Sequence, residues 1–133
     1  MGDSAPHPAP SAGPRVGSTS WQIRFYEDIL KRSPDYVEVL MVLGGLYTQK
    51  KLYEKGLKID ERLAVLRKDD PIVRYNLACS YSLLNQPDKA FDALRRAVEL
   101  GYRDLNHMQK DSDLAPVRSD PRYAEVVARM QGR

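Results

Sequence analysis

The chain has 133 residues, of which 42% are apolar, with a mixed charge of 21 basic and 18 acidic residues. This length suits one folded domain and is short for two. No apolar run approaches the ~18 residues of a membrane span, and the basic residues form no stripe of the kind that binds nucleic acids. We therefore expect a folded domain with no membrane insertion and no nucleic-acid partner.

The N-terminal segment, residues 1–19, consists largely of Pro, Ala, Gly and Ser. Such a segment cannot offset the entropy lost on ordering, so we expect a disordered tail. It lacks the basic start and apolar stretch of a secretory signal, and a single cysteine fits a reducing compartment. We expect a cytoplasmic protein, with a periplasmic location or an origin in a larger protein as alternatives.

From Trp21 onward, apolar residues recur at helical spacing and no stretch alternates as a strand does. Thr19 or Ser20 is expected to cap the first helix. A second helix is predicted to begin near Asp35. The pattern indicates an all-helical chain.

Later helix boundaries carry stronger sequence signals. Asp70 followed by Pro71 is typical of a helix start, because the carboxylate caps the first turn and proline fits its first position. Residues 85–88, "NQPD", predict a turn. Gly101 is expected to close the fifth helix.

The chain repeats itself with a period of 34 residues. The shift aligns large residues with large and small with small: Leu43 with Leu77, Gly44 with Ala78, Tyr47 with Tyr81, and Gly56 with Ala90. Small residues at these positions allow two antiparallel helices to approach closely.

Residues 40–47, "LMVLGGLY", resemble the first-helix signature of the tetratricopeptide repeat (TPR) family, and residues 74–81, "RYNLACSY", resemble it again. The second helix of the later repeat is similar through Ala90, Leu94 and Ala97. Asp60 departs from the pattern, because it is polar where the family has bulk. The segment after Leu100 resembles the one that ends many bacterial TPR proteins.

The resemblance implies an all-α, right-handed solenoid of antiparallel helix pairs, with about two full repeats. The expected boundaries are a half repeat at residues 20–33, repeats at 35–68 and 69–102, and capping helices at 103–133. The capping helices would cover the apolar end of the array.

The resemblance also implies a non-enzymatic module that binds a protein partner, as a peptide or helix, in a concave groove lined by the first helices of the repeats. Carried over by register, the groove residues are Met41, Gly45, Thr48, Gln49, Ile72, Tyr75, Asn76, Cys79, Ser82 and Leu83. Tyr75 would be an aromatic anchor and Met41 an adaptable one. The alternative to partner binding is that these residues merely contact the capping segment or solvent.

A structural role is the second hypothesis. The half repeat would expose apolar surface, and through Trp21 and Phe25 it would form a homodimer or stack on upstream repeats.

Catalysis, metal binding and cofactors are not expected. Cys79 would need an adjacent base to act as a nucleophile, and His107 lies on a different predicted element, so Cys79 is expected to serve in packing or groove lining. One Cys and one His fall short of a zinc ligand set. Asp111 and Asp113 lack the other residues of a calcium loop, so helix capping is expected there.

Overall fold

The computed structural model describes residues 17–132, which form helices and connecting turns and contain no strand. The helices, in chain order, are α1 (Thr19–Arg32), α2 (Val37–Gln49), α3 (Tyr53–Leu66), α4 (Pro71–Leu83), α5 (Pro87–Glu99), α6 (Leu105–Lys110), a 3₁₀ helix (Ser112–Val117) and α7 (Pro121–Met130). Consecutive helices pair from α1 to α5 as a right-handed solenoid of antiparallel helix pairs, which confirms the predicted fold class.

The predicted tail spans residues 1–19. Residues 1–16 of it lie outside the part of the chain that the structure describes. Within its last part, Ser18 accepts a hydrogen bond from the Trp21 backbone N–H at 3.1 Å and is the N-cap of α1. Thr19 is already helical, so the expectation that Thr19 or Ser20 caps this helix is wrong. The hydroxyl of Ser18 reaches the free N–H groups of the first turn.

The turns between paired helices repeat their backbone geometry. Lys51 follows α2 with φ of 60° and Asn85 follows α4 with φ of 58°, which places both in the left-handed region. In each turn the following residue donates back to the helix: Leu52 to the Tyr47 carbonyl at 2.8 Å, and Gln86 to the Tyr81 carbonyl at 2.9 Å. This closure satisfies carbonyls that the helix end leaves free.

Side-chain interactions also recur at the repeat spacing. The Tyr81 hydroxyl donates to Glu61 of α3 at 3.1 Å, and the Tyr47 hydroxyl donates to Glu27 of α1 at 2.5 Å. Glu27 therefore occupies in α1 the position that Glu61 occupies in α3. In this respect α1 contacts α2 as α3 contacts α4.

The main apolar core lies under α4, α5 and the C-terminal helices. Phe91 of α5 is fully buried, and it packs in one cluster with Met108, Leu114 and Val126 from the segment after α5. We call residues 103–132 the capping segment, because its apolar side chains cover the open end of the repeat array. None of the helices among residues 17–132 is long and apolar enough to span a bilayer.

Candidate functional site

A cavity of about 230 Å³ opens between the first helices of the two repeats. Its walls come from α2, α3, α4 and the 3₁₀ helix of the capping segment. The lining residues are Met41, Gly44, Gly45, Thr48, Asp60, Leu63, Asn76, Cys79, Ser80, Leu83 and Asp113. Six of the ten predicted groove residues are therefore brought together: Met41, Gly45, Thr48, Asn76, Cys79 and Leu83.

Two adjacent glycines on α2, Gly44 and Gly45, have different surroundings. Gly44 is buried, and a Cβ there would lie 3.3 Å from the Ile59 side chain and 3.5 Å from a carboxylate oxygen of Asp60. Gly45 is exposed, and a Cβ there would meet nothing within 4 Å. Gly44 thus allows α3 to approach α2, whereas Gly45 leaves the cavity lining without a side chain at its position.

Asp60 forms a buried polar floor for the cavity. Its side chain is 8% exposed, and the Ser80 hydroxyl donates to one of its carboxylate oxygens. Burial raises the pKa of Asp60 to about 6, although the Ser80 hydrogen bond opposes this shift and the charge of Glu61 adds to it. Sequence reasoning missed Asp60 as a groove residue, even though a polar residue at a bulky repeat position was the signal that marked it.

The capping segment reaches the cavity through Asp113, and its neighbour Asp111 ties the segment to α4. One carboxylate oxygen of Asp111 accepts the Tyr75 hydroxyl hydrogen at 2.6 Å, and the other accepts the Asp113 N–H at 3.0 Å, which caps the 3₁₀ helix as expected. Tyr75 also stacks on Tyr102, with ring centroids 4.5 Å apart. The chain's own C-terminal segment therefore packs on the first helix of the second repeat and covers Tyr75.

Burial corrects two predicted groove positions. Tyr75 is only 3% exposed and Ser82 is fully buried, so neither presents a surface to a partner. Tyr75 contacts the capping segment, as in the alternative to groove lining that the sequence left open. Gln49 and Ile72 are exposed, but neither lines the cavity.

Cys79 and His107 meet at the same carboxylate. The Cys79 thiol donates to Asp111 at 3.7 Å, and the His107 Nε2 atom lies 3.3 Å from the same oxygen. Burial, followed by the charges of Asp111 and Asp113, raises the pKa of the Cys79 thiol well above its usual value. A nucleophilic cysteine needs the opposite shift and a base that faces its sulfur, so this arrangement favours packing.

The same neighbourhood gathers three groups of the kind that bind metal ions. Ligand atoms of Cys79, Asp111 and Asp113 lie within 4.8 Å of one another. Both oxygens of Asp111 already accept hydrogen bonds, from Tyr75 and from the Asp113 backbone, and the thiol is held in its protonated form. A metal ion here would have to displace the thiol proton and compete with these hydrogen bonds, and three protein ligands are fewer than the four of a closed structural zinc site.

The N-terminal helix carries the second predicted surface. The rings of Trp21 and Phe25 on α1 are stacked, with centroids 5.3 Å apart and planes within 10°. Phe25 is 46% exposed and Trp21 is half-buried. The two residues are thus brought together as an exposed aromatic pair.

Comparison with known proteins supports the fold and leaves the family open. No family model matches the chain. The chain is 40% identical over 87 residues to a chloroplastic protein of Arabidopsis thaliana, a match that covers 63% of this chain and 26% of that protein. The chain thus spans about a quarter of the length of the curated relative it matches.

The structure is similar to solved structures of MamA. MamA from Desulfovibrio magneticus RS-1, residues 41 to the end, superposes with a TM-score of 0.64 at 17% identity, and the match covers 89% of this chain and 70% of that one. A second MamA crystal structure gives a TM-score of 0.64 at 24% identity, over 85% of this chain and 69% of that one. The chain therefore shares its fold with MamA, a TPR-like helical-repeat protein.

Proposed function

We propose that this protein is a non-enzymatic interaction module that binds a peptide in the groove between α2 and α4. The observation that carries the proposal is the cavity of about 230 Å³ between these helices, with Gly45 open at its mouth. Helical-repeat arrays offer their first helices as a concave binding surface. The scaffold-like MamA fold supports a role in protein binding.

The corrected groove has apolar walls and a polar floor. Met41 is 39% exposed, and Leu83 is half-buried on the facing helix, so both present apolar surface to a ligand. Asn76 is exposed between them and offers an amide that can pair with a peptide backbone. An apolar surface with a few placed polar groups is the usual composition of a ligand site.

The groove is tested by filling it. A library of random dodecapeptides displayed on phage is selected on the wild-type protein, and the enriched peptides are measured on Gly45→Trp. Because a side chain at Gly45 meets open space, this variant should keep its helical circular dichroism while losing peptide binding. Lys58→Trp on the exposed face of α3 adds the same bulk outside the cavity and should bind as wild type does. Undiminished binding by Gly45→Trp, or no enriched peptide at all, would refute the groove.

Self-association through α1 is the second candidate. The stacked pair of Trp21 and Phe25 favours it, because a half-exposed aromatic pair on a helix that packs on α2 leaves apolar surface to cover. Size-exclusion chromatography with light scattering at high protein concentration should then show a dimer that Phe25→Glu converts to monomer. A strict monomer in the wild type contradicts this candidate.

A further inference from the structure

The cavity between α2 and α4 has an acidic lining. Asp60 lies on its floor and Asp113 on its rim, and no Lys, Arg or His is among the residues that line it. The nearest basic side chain that contacts the neighbouring carboxylate, His107, lies outside the lining, with its Nε2 atom 3.3 Å from Asp111. A cavity that excludes part of the bulk water strengthens the field of such charges.

Asp60 is more than nine-tenths buried and keeps one oxygen free. Ser80 donates to Oδ2, and within residues 17–132 no donor bonds the Oδ1 atom. Gly44, which also lines the cavity, has no side chain to cover that oxygen, since a Cβ at Gly44 would stand 3.5 Å from it. A buried carboxylate without a cation is costly, so its presence at a position that favours bulk points to a ligand.

Asp113, from the 3₁₀ helix of the capping segment, offers a second acceptor in the lining. Its backbone N–H is used by Asp111, but its carboxylate has no hydrogen bond or ion pair within the described part of the chain. Burial and then the charge of Asp111 raise the pKa of Asp113, because neither favours the ionised form. A cation placed in the cavity would relieve both carboxylates at once.

We propose that the cavity accepts a Lys or Arg side chain of the bound peptide, with its charged end between Asp60 and Asp113. The aliphatic stem would lie along Met41, Leu63 and Leu83, while the ligand backbone passes over Gly45. The volume of about 230 Å³ far exceeds the space for one water molecule and suits one long side chain. Long cationic side chains combine an apolar stem with a charged head in this way.

This inference rests on the proposed peptide groove, and its test separates the two. Peptides enriched from the phage library should share a Lys or Arg position. A synthetic peptide with norleucine in place of that residue should bind wild type roughly tenfold more weakly or worse, which is the loss expected for a charge-assisted pair. Titration calorimetry at low and high salt should show weaker binding at high salt, because salt screens charges at the cavity mouth.

The matched variants are Asp113→Asn and Glu125→Gln. Asp113→Asn should lower affinity for the basic peptide roughly tenfold and leave the norleucine peptide unchanged. Glu125→Gln removes one negative charge from an exposed site on α7, outside the cavity, and should have no effect. Asp60→Asn tests the buried carboxylate of the cavity in the same way. If Asp60→Asn fails to fold, Asp113→Asn alone still decides whether the cavity recognises a cation.

The outcomes are distinct. Enriched peptides that lack a basic position, or equal binding of the lysine and norleucine peptides, would overturn the charge inference and leave the groove standing. A complete absence of enriched peptides would overturn both.

Discussion

Tyr75 donates its hydroxyl hydrogen to Asp111 across 2.6 Å, and this bond ties the first helix of the second repeat to the capping segment. The bond is largely shielded from water, since Tyr75 is 3% exposed. It joins residues 36 positions apart in the sequence. The end of the array is therefore held by a specific polar contact in addition to apolar packing.

We predict that this contact contributes measurably to stability. Tyr75→Phe keeps the stacking on Tyr102 and removes only the hydroxyl, so it should lower the free energy of unfolding by about 1–2 kcal/mol in urea denaturation. Tyr123→Phe is the matched control: its hydroxyl lies 3.5 Å from the Met108 carbonyl, a long contact whose loss should cost well under ~1 kcal/mol. In a double-mutant cycle, Asp111→Asn should couple to Tyr75→Phe. Additive effects of the two changes would contradict the contact.

The turns make a second prediction. Lys51 adopts φ of 60°, a conformation that strains a residue with a Cβ and that glycine adopts freely. Lys51→Gly should therefore raise the free energy of unfolding by roughly 1 kcal/mol. Asn85→Gly at the equivalent turn should gain less, because asparagine tolerates this region. Gly101→Ala, at φ of 113°, should destabilise.

The order of these three effects is the diagnostic result. Denaturation midpoints of the variants, measured in one buffer, should rank Lys51→Gly above Asn85→Gly and both above Gly101→Ala. A gain for Gly101→Ala would show that the turn does not need its left-handed residue.

The chemistry at Cys79 gives a third prediction. Because burial and two nearby carboxylates raise its thiol pKa, iodoacetamide should label Cys79 slowly in the folded protein near neutral pH. Labelling in urea should be faster by orders of magnitude, since unfolding both exposes the thiol and restores its ordinary pKa. Asp111→Asn should accelerate native labelling moderately. Rapid labelling of the folded wild type would instead support a reactive cysteine.

The sequence predicted the fold well because the same pattern of large and small packing residues occurs twice in the chain. The spacing of 34 residues aligned Tyr47 with Tyr81, and the structure gives both hydroxyls a glutamate partner on the preceding helix. Local signals such as Asp70 before Pro71 also marked a helix start that the structure contains. Periodic and local patterns of this kind can be read from a single chain.

The site was harder to predict, because it depends on what covers each helix. Register placed Tyr75 on the groove face, but register contains no information on where the capping segment folds back. The contact with Asp111 is nonlocal, so no spacing rule anticipates it. Asp60 was visible as a departure from the repeat pattern, and such departures are where function is expected to override packing.

The last prediction concerns the pH dependence of stability through Asp60. Its folded-state pKa is about 6, raised from an ordinary value of 3.8, chiefly by burial. Between about pH 4 and 6 the unfolded chain loses this proton while the folded chain keeps it, so the free energy of unfolding should fall as pH rises, by up to about 3 kcal/mol. Above the folded pKa both states are ionised and this contribution levels off.

Asp60→Asn removes that titration while keeping an acceptor for Ser80. The variant should match wild type near pH 4 and exceed it in stability by about 1–3 kcal/mol at pH 7. Titrations of groups that do not interact with Asp60 are common to both proteins and cancel in the difference. Urea denaturation at several pH values measures it, and parallel curves for the two proteins would contradict the raised pKa. If the same variant also loses affinity for a lysine-containing peptide, the buried carboxylate costs stability because binding requires it.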